Sequence, residues 1–131
     1  MPQITSLDHL VLTVADIART VAFYETVLGM RAERFRPSDG SDRVALVFGS
    51  QKINLHQAGA EFEPKARVAT PGSGDLCFLT ETPLDDWQAH FAAHDVPVED
   101  GPVRRTGAAG PILSLYVRDP DGNLIEVSVR V

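Results

Sequence analysis

The chain has 131 residues, 44% of them hydrophobic, and a formal charge of −6 at pH 7. That is enough apolar content for one buried core, and the acidic balance argues against nucleic acid or an anionic membrane surface as a partner. No stretch approaches the roughly 20 apolar residues that span a bilayer, the N-terminus lacks a basic segment followed by a hydrophobic run, and the single cysteine, Cys77, excludes an internal disulfide framework; a cytoplasmic protein is expected.

Leu7 to Val14 is a nearly unbroken β-rich apolar run and predicts a buried strand, with His9, Val11 and Thr13 on one face. Asp16 is a helix N-cap, Ile17, Val21, Tyr24 and Leu28 follow at helical spacing, and Gly29 supplies a left-handed stop. Met30–Arg36, Arg43–Phe48 and Lys52–Gln57 are three short strands separated by turn residues. Ala58 to Gly74 has no period and marks a boundary.

Beyond it, Asp75–Thr80 predicts a strand. Thr82 caps a helix with Pro83 in its first position and Leu84, Trp87 and Phe91 along one face. Pro97–Val103, Gly110–Arg118 and Asn123–Val129 complete the set, the last two strands joined by the turn Asp119-Pro120-Asp121-Gly122. Each half therefore reads βαβββ.

The halves match in their ends as well. His9 lines up with Asp75 at an offset of 66 residues, and Ile53-Asn54-Leu55-His56 lines up with Asn123-Leu124-Ile125-Glu126 at an offset of 70. A polar or ionisable side chain at all four positions points to a duplicated scaffold that converges metal-capable groups.

These residues resemble the vicinal oxygen chelate superfamily of glyoxalases, bleomycin-resistance proteins and extradiol dioxygenases, and most closely its small glyoxalase-domain-containing proteins. The resemblance is carried by Leu7-Asp8-His9-Leu10-Val11-Leu12-Thr13-Val14, by Phe23-Tyr24 before Leu28-Gly29-Met30, and by Arg118-Asp119-Pro120-Asp121-Gly122-Asn123-Leu124-Ile125-Glu126. It implies an α+β fold in which two βαβββ modules form a cupped mixed sheet, as one glyoxalase-like domain over residues 1–131 with module one at about 4–57 and module two at about 75–131. It also implies a divalent metal held by His9, His56 and Glu126, with Asp75 at the fourth family position, where many relatives have histidine.

Two imidazoles and a carboxylate suit iron, manganese, nickel, cobalt or zinc better than calcium or magnesium. Glu126 inside an apolar strand would be an expensive buried charge without a cation. Asp75 is open to three readings: a weak ligand, a general base, or a group that orients an imidazole. Asn54 and Ser128 share faces with His56 and Glu126 and are candidates for contacting substrate, with Tyr116 and Phe48 beside them. Arg43, Arg67, Arg104 and Arg105 are open as anchors for an anionic group. His90 and His94, four apart on the second helix, lack a third ligand.

The leading expectation is a metal-dependent lyase or isomerase acting on a small molecule with vicinal oxygens, with Glu126 and Asp75 as catalytic groups and a homodimer as the assembly. The alternatives are a ferrous extradiol-type dioxygenase and a metal-free protein that sequesters a small molecule or drug.

Overall fold

A computed structural model describes all residues 1–131, and the chain divides into two compact units, Met1–Pro71 and Gly72–Val131. The first runs β1 (His9–Val14), α1 (Ile17–Thr26), β2 (Arg31–Phe35), β3 (Arg43–Phe48) and β4 (Gln51–Gln57). The second runs β5 (Asp75–Leu79), α2 (Leu84–Ala93), β6 (Asp100–Gly107), β7 (Gly110–Arg118) and β8 (Leu124–Arg130). Each unit is the predicted βαβββ, and each forms a four-stranded mixed sheet, in the orders β1-β4-β3-β2 and β5-β8-β7-β6. No helix is long and apolar enough to cross a membrane.

In the first unit Leu12 and Val14 of β1 and Ile53 and Leu55 of β4 are buried on one face of the sheet, in the same unit as the buried Tyr24 of α1. The helix begins where Asp16 accepts a hydrogen bond from the Arg19 N–H, as its N-cap position requires. Gln57 fixes the strand end to this helix start, because its amide donates to Ala15 O at 2.7 Å and its oxygen accepts from the Ile17 N–H.

In the second unit Leu84 and Phe91 of α2 and Leu115, Val117, Ile125 and Val127 of the sheet are the buried apolar residues. The turn before β8 is itself a built element. Asp119 Oδ1 accepts from the N–H groups of Asp121 and Asn123, its Oδ2 accepts from the Asn123 amide, and Asn123 Oδ1 accepts from the Gly74 N–H at 2.7 Å. The Asp-Pro-Asp-Gly-Asn segment thereby sets the starts of β5 and β8 against each other, and with them the register of Asp75 and Glu126.

Two boundaries differ from expectation. Pro83 occupies the N-cap position rather than the first helical turn; the Thr80 hydroxyl instead accepts the Thr82 N–H and the Trp87 indole N–H. The β6 strand runs Asp100–Gly107 rather than Pro97–Val103. It is an edge strand with much of its surface in water, so Arg104-Arg105-Thr106 extend it without any apolar alternation. Its register shifts between Asp100 and Val103, at Gly101, whose φ is +106°.

Candidate functional site

Strand register decides which predicted residues can act together. In β1 and β4 the parallel partners are His9 with Lys52, Val11 with Asn54, and Thr13 with His56. These six residues share the face away from the buried core. His9 and His56 are therefore four residue steps apart along the ladder, a Cα separation of about 13 Å, and strand side chains stand out from the sheet rather than lean toward one another. The expected pairing of two imidazoles around one cation needs them closer together than this register sets their backbones.

The surroundings of His56 agree. The ring is 6% exposed and meets Phe62 edge-on at 5.4 Å between centroids. The Arg43 guanidinium lies 3.9 Å from the centre of the same Phe62 ring. Burial, followed by the Arg43 charge, holds the His56 pKa below its ordinary value. A neutral imidazole is a competent ligand, but a guanidinium beside it opposes a second cation.

His9 is exposed, and its Nδ1 is hydrogen-bonded to Asp8 at 2.7 Å. That bond orients the ring and directs Nε2 outward, the arrangement of a carboxylate behind a ligating histidine. Asn54, between His9 and His56 on this face, has a buried side-chain oxygen with no hydrogen-bond partner.

The second unit repeats the ladder. Asp75 pairs with Leu124, Cys77 with Glu126, and Leu79 with Ser128. With His9 set against Asp75, the first-unit counterpart of Glu126 is Asn54, and that of Ser128 is His56. The apparent match of His56 with Glu126 is thus two residues out of register.

Glu126 is the most elaborated group on its face. Its Oε2 accepts a hydrogen bond from the Ser114 hydroxyl, which in turn accepts from the Ser128 hydroxyl at 2.7 Å, and Ser128 Oγ lies 3.4 Å from the same carboxylate oxygen. Cys77 Sγ lies 3.4 Å from the Ser128 hydroxyl. Tyr116 is the direct cross-strand neighbour of Glu126, and its hydroxyl accepts from Arg105 Nε at 2.9 Å. Burial raises the pKa of both Tyr116 and Cys77, and the Glu126 charge raises both further. The carboxylate is thereby surrounded by neutral O–H and S–H groups.

Two cavities flank Glu126. One of about 360 Å³ is lined by Asp75, Tyr116, Leu124, Glu126, Arg105 and the acidic pair Glu99 and Asp100. The other, of about 390 Å³, lies toward the β6–β7 hairpin. Asp75, Tyr116 and Ser128 thus share the face of Glu126.

Phe48 is not part of either face discussed. It pairs with Gln51, in phase with the buried Leu46 and Ile53, so it lies on the opposite side of the sheet from Asn54. Ser114 was missed although it shares alternation with Tyr116 in an apolar run; Phe62 lies in the aperiodic 58–74 segment and left no such signal.

No three His, Cys, Asp or Glu side chains in the chain are grouped so that they could hold a metal ion. The donor chemistry nonetheless fits a divalent cation at two positions, the Asp8-oriented imidazole of His9 and the carboxylate of Glu126, and does not fit one at His56.

The profile of the glyoxalase/bleomycin resistance protein/dioxygenase superfamily matches residues 6–127. Virulence protein STM3117 of Salmonella typhimurium is 56% identical over 128 residues, covering 98% of this chain and 86% of that protein. The integron cassette protein VCH_CASS1 from the mobile metagenome of V. cholerae is 58% identical, covers 100% of this chain and 99% of its own, and superposes with a TM-score of 0.94. Lactoylglutathione lyase from Agrobacterium tumefaciens is 28% identical with a TM-score of 0.71, covering 97% of this chain and 95% of its own. The chain belongs to the glyoxalase/bleomycin resistance protein/dioxygenase superfamily.

Proposed function

We propose that the chain is a divalent-metal-dependent enzyme of the glyoxalase type, performing lyase or isomerase chemistry on a small molecule with adjacent oxygens. The observation that carries this reading is Glu126, a carboxylate in mid-strand, held at one oxygen by the Ser114 hydroxyl with Ser128 behind it and flanked by two cavities. The fold shared with a lactoylglutathione lyase supports the same class.

In this reading His9 and Glu126 would each offer a donor to iron, manganese, nickel, cobalt or zinc. The metal supplies Lewis-acid stabilisation of negative charge developing on the substrate oxygens. Ser114 and Ser128 fix the rotamer of Glu126 and leave its second oxygen to face the cavity side. Asp75, on the same face and lining the same cavity as Glu126, takes a proton from the carbon next to a carbonyl and returns it to the neighbouring position. Tyr116, kept protonated at neutral pH, donates from its O–H to a substrate oxygen. In this reading the working assembly is a homodimer, and a monomeric mass in analytical ultracentrifugation would count against it.

Elemental analysis of protein purified without chelator tests the reading. Bound transition metal is expected, lowered in His9→Ala and in Glu126→Ala and retained in His56→Ala. Metal content unchanged in both of the first two variants would overturn it, and tight small-molecule binding by metal-free protein would favour a sequestering role instead.

A further inference from the structure

The cavity on the hairpin side of Glu126 has two unlike ends. Glu126, Ser128 and Arg130 alternate along one face of β8, so Glu126 and Arg130 stand about 13 Å apart at Cα, and both line this cavity. Between them Leu79 and Ile112 rise from the neighbouring strands and Ala108 and Ala109 line the hairpin tip, with Cys77, Thr106 and the already engaged Arg105 completing the wall. Leu79 is 54% exposed, a large apolar side chain left in water within a concave wall.

Arg130 differs from the other arginines of this face. Arg105 is engaged by the Tyr116 hydroxyl and by Asp100 at 3.6 Å, and Arg118 by Glu99 at 2.9 Å. The Arg130 guanidinium has neither an ion pair nor a hydrogen bond. A free planar fork at the mouth of an apolar cavity is suited to a carboxylate carried on an apolar body, since it forms two parallel N–H···O bonds while the body covers Leu79 and Ile112.

We propose that this cavity holds the tail of the substrate and that Arg130 binds its carboxylate. The substrate class is then a small monocarboxylate whose adjacent oxygens, at the Glu126 end, are separated from the carboxylate by one aromatic ring or a short alkyl chain. The assignment rests on the reading of Glu126 given above and adds to it a determinant of specificity.

The matched pair 3,4-dihydroxybenzoate and 3,4-dihydroxybenzamide tests it by calorimetry on the protein as purified. The two differ only in charge at the end remote from the diol. The acid is expected to bind about tenfold more tightly than the amide at low salt, with the preference shrinking as salt rises. Arg130→Ala should abolish the preference while leaving amide affinity within about twofold, and Arg130→Lys should keep part of it. Equal affinities in the wild type, a preference that survives Arg130→Ala, or failure of both compounds to bind would overturn the inference. The metal assay on His9→Ala and Glu126→Ala reports separately: no acid preference in protein with its metal dependence intact removes only the Arg130 subsite, and an Arg130-dependent preference in protein whose metal is indifferent to both variants removes only the metal reading.

Discussion

The Ser114 hydroxyl donates to the Glu126 carboxylate across the β7–β8 ladder, one pair removed from the direct partners of either residue. Ser114 is fully buried and Glu126 only partly so, which means the donor loses its water shell and recovers one bond to a charged acceptor. Ser114→Ala is expected to cost about 1–3 kcal/mol in urea denaturation. It should also lower metal occupancy, because the remaining contact to Ser128, at 3.4 Å, is too long to hold the carboxylate alone.

His56 links stability to pH. Its pKa in the fold is below 6.5 because of burial and then Arg43. The unfolded chain therefore binds a proton at a higher pH than the folded one, and stability rises with pH between the folded value and 6.5. The contribution is complete above 6.5 and is lost as the pH falls through that window. Denaturation midpoints of wild type and His56→Gln from pH 7.5 downward check this: the variant should show a shallower loss on acidification, whatever its stability at neutral pH.

Gly101 allows β6 to approach β7. A Cβ there would lie 2.3 Å from the Ser114 carbonyl oxygen, and the φ of +106° is one that side-chain-bearing residues avoid. Gly101→Ala should destabilise by more than the roughly 1–3 kcal/mol of backbone strain alone, since the clash is with main chain. Because Ser114 is the contact, the substitution should also weaken metal retention more than a Gly122→Ala change, whose Cβ meets no atom within 4 Å.

Cys77 should be a slow nucleophile. Cys77 is exposed, but partial desolvation of its thiol raises the pKa and the Glu126 charge raises it further, so little thiolate forms at pH 7.5. Alkylation by iodoacetamide, followed by mass spectrometry, should run well below the rate of the denatured chain. Glu126→Gln removes the Coulombic part only and should quicken the reaction partway toward that of the denatured chain.

Element order was legible because each half alternates between two periods. The runs at Leu7–Val14 and Ile53–Leu55 read as strands, the spacing from Ile17 to Leu28 as a helix, and Asp119-Pro120-Asp121-Gly122 as a turn. The face shared by Glu126 and Ser128 followed from alternation once the strand was placed, whereas the phase of Tyr116 within its apolar run had no local marker. Cross-strand register is a different matter. Whether Asn54 or His56 stands opposite a given β1 residue depends on where β1 begins to pair, which no local pattern encodes. The face of Phe48 was lost for the same reason, and the end of β6 because an exposed edge strand has no apolar alternation to mark it.

Phe62 takes the Arg43 guanidinium over its ring and meets His56 edge-on, although it belongs to the irregular segment that follows β4. Five residues past the end of the strand, the backbone is therefore still anchored to the first unit, while Glu63 to Val68 beyond it are exposed. A protease that nicks the connection after Phe62 leaves the imidazole shielded. A nick before Phe62 releases the ring, lets water reach His56, and frees it to ionise at a higher pH.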